Sequence, residues 1–275
     1  VVESGLTNNK IYNGDVPVEV SANDPAENDV YSGLKQVTYT VYNMGTQTQH
    51  DTLYKWNGKE APCKSKEGMG FTVDAEKNNS NDVRILLTAE DNAGNVTSME
   101  YSIKIDITKP IINIEYDKNA ADSGTFFRES RRANVTVKER NFDDSLVNIT
   151  LRATNDGADI ALPTVSGWTS SGDLHTATIE YTAEGDYTFD IDVTDKAGNT
   201  SADFTEQTFY VDTTAPTLEI TGVADRSANN GDIIPVVSYS DTNYDDAQVS
   251  ITLTGAMRKG VALDGSYADQ HNGKV

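Results

Sequence analysis

The amino-acid sequence predicts an all-β chain, tandem β-sandwiches strung in an elongated array. Three observations predict it: apolar residues recur with period two in short runs, no segment sustains a helical period, and a unit of the chain repeats. The clearest run is Tyr187 to Thr194, where Tyr187, Phe189, Ile191 and Val193 alternate with Thr188, Asp190, Asp192 and Thr194. Successive strand side chains point to opposite faces, so one face enters a core and the other meets water. Val16 to Val20, Val37 to Val41, Val135 to Lys138 and Val147 to Leu151 alternate similarly and are rich in β-branched residues that suit a half-buried pleated surface. The short stretches Asp143-Asp144-Ser145 and Asp245-Asp246-Ala247 fit single helical turns.

The repeat sets the organisation. Asp91-Asn92-Ala93-Gly94-Asn95 returns 104 residues later as Asp195-Lys196-Ala197-Gly198-Asn199. The strands that lead into both loops match at the same offset, Val83, Ile85, Leu87 and Ala89 against Tyr187, Phe189, Ile191 and Val193. Each loop is followed by a strand ending in aspartate and a Thr-x-Pro linker: Ile105-Asp106-Ile107-Thr108-Lys109-Pro110 and Val211-Asp212-Thr213-Thr214-Ala215-Pro216. A second alignment, offset by 102, pairs Asn141-Phe142-Asp143-Asp144 with Asn243-Tyr244-Asp245-Asp246, and Val147, Ile149 and Leu151 with Val249, Ile251 and Leu253. A unit of roughly 105 residues is the size of one sandwich domain. The expected domains are 1–107, 108–213 and an incomplete third at 214–275, which stops before any DxAGN loop and its flanking strands. Such a remnant should leave a strand edge and part of a core uncovered, disordered or completed by another chain. Val1 and the truncated third copy suggest a segment cut from a longer array.

Composition excludes several function classes. Among 275 residues, 43 Asp and Glu outweigh 22 Lys and Arg, a net charge of -21 that repels nucleic acid and anionic membrane surfaces. No apolar run approaches the roughly 18 residues of a membrane helix, so no membrane insertion is expected. No signal peptide is visible. Cys63 is the single cysteine, which rules out an intrachain disulfide and a CxxC motif and leans towards a bacterial origin. The reading for Cys63 is a buried or incidental thiol, since His50, His175 and His271 form no catalytic pattern with it.

Gly185-Asp186-Tyr187-Thr188-Phe189 resembles strand F of an immunoglobulin-like domain, with Tyr187 at the tyrosine-corner position, where Val83 stands in the first copy. With the DxAGN loops, the Asp-Thr-Thr-Ala-Pro linker and Arg132 to Asp143, the chain resembles bacterial immunoglobulin-like tandem repeats of large cell-surface proteins and adhesins, often Gram-positive. The resemblance implies immunoglobulin-like β-sandwiches outside the cell, at the bacterial surface or in the cell wall, with adjacent repeats of the same chain as neighbours. It implies a non-catalytic stalk or adhesion segment that spaces or presents a binding domain. The alternative is a module that binds a host surface or secreted protein (an immunoglobulin or mucin) or a glycan.

Two readings of the DxAGN loops stand. In the first, aspartate caps its own turn and glycine supplies the positive φ of a tight reversal. In the second, Asp91 and Asp106 at one end of a sandwich, and Asp195 and Asp212 at the next, offer calcium the hard oxygen donors it takes. Phe126, Phe127, Arg128, Arg131 and Arg132, with Lys138 and Arg140 nearby, form a candidate basic and aromatic binding patch; alternatively these cations line the wet face of a strand, pair with neighbouring carboxylates and blunt an exposed edge. Trp56 and Trp168, near glycines, are candidate sugar-stacking residues or packed loop residues. The many carboxylates identify no glycosidase pair without a cleft and one raised pKa.

Overall fold

The computed structural model describes residues 2–25, 30–118, 125–243, 249–255, 257–258, 261–262 and 265–267. The first eight strands are β1 (Val2–Ser4), β2 (Ile11–Tyr12), β3 (Val16–Asn23), β4 (Leu34–Asn43), β5 (Thr46–Lys55), β6 (Ser65–Val73), β7 (Ser80–Asp91) and β8 (Val96–Ile105). They form two facing sheets, ordered β1-β3-β6 and β2-β8-β7-β4-β5. The opening segment changes sheets, because β1 runs antiparallel to β3 while β2 runs parallel to β8. Gly5 makes the crossing possible: its φ is +106°, and a Cβ there would lie 2.3 Å from the Pro17 carbonyl oxygen.

The next strands repeat this plan. They are β9 (Ile111–Tyr116), β10 (Phe126–Phe127), β11 (Arg131–Lys138), β12 (Val147–Asn155), β13 (Ala158–Asp159), β14 (Thr164–Val165), β15 (Thr169–Ser171), β16 (Leu174–Tyr181), β17 (Gly185–Val193) and β18 (Gln207–Val211). One sheet is ordered β10-β18-β17-β12-β13 and the other β14-β16-β11-β9, with β15 also on β16. Again β9 is antiparallel to β11 and β10 parallel to β18. Asp144–Leu146 forms a single 3-10 turn, capped by Asp143, whose carboxylate accepts from the Ser145 N–H at 3.1 Å. The sister stretch Asp245-Asp246-Ala247 lies outside the described residues.

Each pair of sheets closes over its own core. Val18, Val37, Ile85, Leu87 and Ile103 are buried in the first, and Val135, Ile179, Phe189, Ile191 and Val193 in the second. Burying one such side chain contributes about 1.5–3 kcal/mol, so truncating Ile85 or Phe189 to Ala should cost about 2–5 kcal/mol. The inward residues of β17 are the alternate set Tyr187, Phe189, Ile191 and Val193. The Tyr187 hydroxyl donates to the Ala183 carbonyl at 2.7 Å and pins the turn before β17. The first sandwich has Val83 at that place, and Asn78 holds the corner instead. Asn78 is fully buried, accepts from Thr48 Oγ1 at 2.6 Å and donates to Gln49 Oε1 and the Asp74 carbonyl at 2.9 and 2.8 Å.

Beyond the second linker, β19 (Thr217–Thr221) pairs antiparallel with β20 (Val236–Ser240). Gly222 repeats the device of Gly5, with φ +80° and the Ile234 carbonyl oxygen 2.3 Å from where a Cβ would stand. Of the aligned residues Val249, Ile251 and Leu253, the last two lie in β21 (Ile251–Leu253). Next come β22 (Met257–Arg258), β23 (Val261–Ala262) and β24 (Gly265–Tyr267), with β21 on β24 and β22 on β23. Val237 and Tyr239 are buried whereas Leu218 and Ile220 are exposed.

Candidate functional site

Both DxAGN loops close on themselves. Asp91 Oδ1 accepts from the Asn95 N–H and Oδ2 from the Asn95 amide, each at 2.8 Å. Asp195 repeats both bonds to Asn199 at 2.8 Å and adds the Ala197 N–H at 2.8 Å. Gly94 and Gly198 take φ of +91° and +92°, as the tight reversal requires. The turn therefore needs no ion to form. At Asp91 the Asn95 hydrogen bonds hold the carboxyl below the usual aspartate range, aided by Ser32 and the Ala93 N–H against a modest cost of burial.

The second loop does more than close. Asn199 Nδ2 reaches the backbone oxygen of Asp106, 2.8 Å away at the end of the first sandwich, and the Lys196 N–H reaches the Asn141 carbonyl at 3.0 Å. Asp106 is fully buried. Its Oδ1 faces Arg140 Nη2 at 3.0 Å and the Thr108 N–H at 3.1 Å, while Oδ2 accepts from the Asn141 amide. Arg140 also donates to Asn79 Oδ1 at 2.8 Å and to the Ile105 carbonyl at 3.3 Å. A carboxylate is costly to bury alone, and here a guanidinium and an amide from the second sandwich compensate a carboxylate of the first.

Glu139, the first residue after β11, completes the cluster. Asp106, Glu139 and Asp195, all buried, each offer an oxygen within 4.8 Å of the others. Glu139 Oε1 accepts from the Asn141 N–H at 2.7 Å, whereas the buried Oε2 has no hydrogen-bond partner. Burial pushes the Glu139 carboxyl up; the Asn141 N–H opposes this, and Asp106 and Asp195 reinforce it. His175 backs the segment: its Nε2 is 2.7 Å from the Glu139 carbonyl, its Nδ1 2.7 Å from Ser170 Oγ, and its ring stacks on Phe142.

Of the four aspartates expected as metal ligands, two meet. Asp106 and Asp195 share the cluster. Asp91 lies instead beside Ser32 and Gly33, since the Asn92 N–H donates to the Gly33 carbonyl at 2.9 Å. Asp212 stands at the second linker, accepting from Asn243 Nδ2 at 2.8 Å. The pairing of Asp91 with Asp106 and of Asp195 with Asp212 is thus replaced by Asp106 with Asp195, across the linker. Sequence reasoning missed Glu139. The signal was available: the alignment that pairs Asn141 with Asn243 also pairs Glu139 with Asp241, whose Oδ1 accepts from the Asn243 N–H at 2.8 Å.

The candidate binding patch is split by the fold. Phe127 and Arg131 are buried, and the Arg131 guanidinium lies 3.6 Å from the Tyr116 ring centroid and 4.0 Å from that of Phe127, so neither is offered to a partner. Phe126 stacks on Tyr210, Arg132 faces Glu180 at 3.9 Å on the wet face, and Arg128 is exposed. The expectation of a blunted sheet edge is corrected for Arg131 and Arg132, since β11 is paired on both sides, by β9 and β16, while Arg128 follows β10, which ends its sheet. Trp56 donates its indole N–H to the Glu60 carbonyl, and Trp168 packs on Phe142. Cys63 is half-buried and donates to the Tyr54 hydroxyl at 3.0 Å.

Comparison with known proteins agrees with the architecture. The family described as Bacterial Ig-like domain matches residues 18–107, within the first sandwich. The family Bacterial Ig-like domain (group 3) matches residues 175–268, from β16 across the second linker. No curated protein matches. Among solved structures, the chain resembles a tetra-tandem repeat from the extending region of a large adhesion protein at 14% identity, covering 96% of this chain and 61% of that one with a TM-score of 0.33. It also resembles fibronectin(III)-like modules of Clostridium thermocellum CbhA at 14% identity, covering 76% and 90% with a TM-score of 0.27. Murine CEACAM1b matches at 12% identity, 74% and 94% coverage and a TM-score of 0.31. Likeness at these scores carries no argument about function. Among the described residues no helix is long and apolar enough to cross a membrane. Two family matches in tandem, together with two cores built to one plan, identify the chain as a member of the bacterial Ig-like domain family, a tandem-repeat protein of β-sandwich modules.

Proposed function

We propose that the chain is a non-catalytic stalk or adhesion segment of a bacterial surface protein, lying outside the cell at its surface or in its wall. Its units are 1–107, 108–213 and 214–275, and their role is to space or present a binding domain. The observation that carries this reading is the joint at Asp106. A linker that only connected two modules would be solvated and free to bend. This one buries a carboxylate and ties it through Arg140, Asn141 and Asn199 to the next module. Repetition of the linker aspartate at Asp212, again bonded to an asparagine of the following unit, supports a joint made once per module.

The test is a binding screen of the full chain against a glycan array and immobilised host secreted proteins, mucin and immunoglobulin included. A spacer gives no saturable signal. One observation favours the alternative, a module that binds a host protein or glycan: an apolar cleft of about 510 Å³ lined by Phe126, Arg128, Leu218, Tyr239 and Ile251. Saturable capture of one ligand class, abolished by Leu218→Asp or Tyr239→Ala, would establish that alternative.

A further inference from the structure

The two sandwiches finish one of their sheets differently. In the first, β4 lies between β7 and β5, and β5 pairs with it from Gln36 to Asn43. In the second, the equivalent β12 lies between β17 and β13, but β13 pairs with it only at Thr154 and Asn155. Among the described residues, Val147 to Arg152 therefore has no strand on its outer side. The side chains record the difference. Val147 and Leu151 hold the places that Val37 and Val41 hold in the first copy, opposite the repeated strand. Val37 and Val41 are fully buried, whereas Val147 and Leu151 are half-buried.

The backbone along this edge is open. In an antiparallel sheet the N–H and C=O of one residue face one neighbouring strand and those of the next residue face the other. The Ala153 carbonyl accepts from the Ile160 N–H at 3.1 Å on the β13 side, and the Leu146 carbonyl from the Thr194 N–H at 3.2 Å on the β17 side. Val147, Ile149 and Leu151 therefore turn their backbone groups outward, and of these the Val147 N–H is engaged by the Asp144 carbonyl. A row of such groups is a template for another strand, which proteins usually blunt with proline, bulges or inward charges. β12 holds no proline, its register with β17 runs without a bulge, and its one charge, Arg152, is exposed.

We propose that the outer edge of β12 accepts an added strand from a partner protein, an extended segment that is apolar at every second residue and cationic between, lying antiparallel to β12 as β5 lies on β4. This goes beyond the stalk reading and puts an interaction surface on the flank of the second sandwich. The added strand continues the core face of Val147, Ile149 and Leu151 and completes their burial, with main-chain bonds giving affinity and alternate side chains giving specificity. The opposite face sets the charge. There β12 shows Asn148 and Thr150, and directly across from them on β17 stand Asp192 and Asp190. An added strand lies about 9.6 Å from β17, two strand spacings, so a Lys or Arg laid over the short Asn148 or Thr150 approaches these carboxylates. Asp144 before the edge and Asp159 beyond it are exposed and strengthen the field. The same carboxylates, with the net charge of -21, oppose a second copy of the chain.

The test is a fluorescence-anisotropy titration of the full chain with a labelled peptide of alternating valine and lysine, about ten residues long, beside amide hydrogen exchange with and without it. Binding should saturate, slow exchange at Ile149 and Leu151, and leave β4 unchanged. Controls separate strand addition from charge attraction. A peptide of the same composition with its valines and lysines in two blocks, and one N-methylated at its valines, whose N–H groups would face β12, should each bind about tenfold more weakly or worse. Ile149→Pro removes an outward N–H, keeps the bonds to β17 and should weaken binding by about tenfold. Circular dichroism checks that this variant folds, and the N-methylated peptide probes the same bonds without changing the chain. No saturable binding, protection confined to other strands, or equal affinity for the N-methylated peptide overturns the proposal. A chain that sediments as a dimer with Ile149 and Leu151 already protected carries a second copy on this edge, which also overturns it. None of these outcomes bears on the stalk reading, which the glycan and host-protein screen tests.

Discussion

The two linkers begin with the same chemistry and end differently. Asp106 and Asp212 both close a terminal strand, and both accept from an asparagine amide of the unit that follows. At the first junction Asp106 is sealed and faces Arg140. At the second, Asp212 is half-exposed and Thr242 takes the place of the arginine at the repeat offset. Glu184 secures that linker from the other side, its Oε1 accepting from the Thr213 N–H at 2.8 Å and the Thr213 and Thr214 hydroxyls at 2.6 and 2.5 Å. One joint is clasped by a cation reaching back from the next module, the other by an anion of the preceding module gripping its own linker. A repeated motif therefore fixes where a joint forms, and the residues beside it decide how strongly it holds.

Arg140→Thr should turn the first joint into the second. It leaves Asp106 buried without its guanidinium, and the cost should be about 2–3 kcal/mol in urea unfolding, below the usual 3–5 for breaking a buried pair because Arg140 is 29% exposed. A loss under about 0.5 kcal/mol would mean that the clasp contributes nothing. The sandwiches themselves allow a second contrast, in how each holds its corner. Asn78→Ala removes three side-chain hydrogen bonds from a sealed site and should cost about 2–3 kcal/mol, whereas Tyr187→Phe removes one and should cost about 1 kcal/mol. Equal losses would show that the two corners are not alternative solutions.

Thr242→Arg transplants the clasp. Because Asp212 is half-exposed, the gain should stay under about 1 kcal/mol, seen as a small rise in the unfolding midpoint of 214–243 by hydrogen exchange. The smallest effect is on acid behaviour at the second linker. Hydrogen bonds from Thr213, then Thr214, hold the Glu184 carboxyl below its ordinary range. Its folded pKa lies below the unfolded one, so its contribution is present above the unfolded value and fades as pH falls through the folded value. A carboxyl carbon titration by NMR should place Glu184 below a model glutamate, and Glu184→Gln should remove that dependence.

Most of the architecture was legible because alternation and repetition are written residue by residue: Tyr187, Phe189, Ile191 and Val193 read inward and lie inward. The site was legible in halves. Asp106 and Asp195 sit in repeated motifs, but that they meet depends on how one module's loop overhangs the previous module's last strand, which no spacing encodes. Glu139 escaped notice inside Lys138-Glu139-Arg140, a charged run that looks solvated until the end of β11 is placed against the linker. Arg131 misled through composition. Its period-two register with Ala133, Val135 and Val137 puts it on the core face, and aromatic rings accept the guanidinium there.

If the first junction is a joint fastened by Asp106 and not a free hinge, the two sandwiches keep one relative orientation in solution. Residual dipolar couplings measured on the full chain test it most directly, by comparing alignment tensors fitted separately to β3–β8 and to β11–β18. One common tensor is expected in the wild type and two distinct tensors in Arg140→Thr. Two independent tensors in the wild type would contradict it.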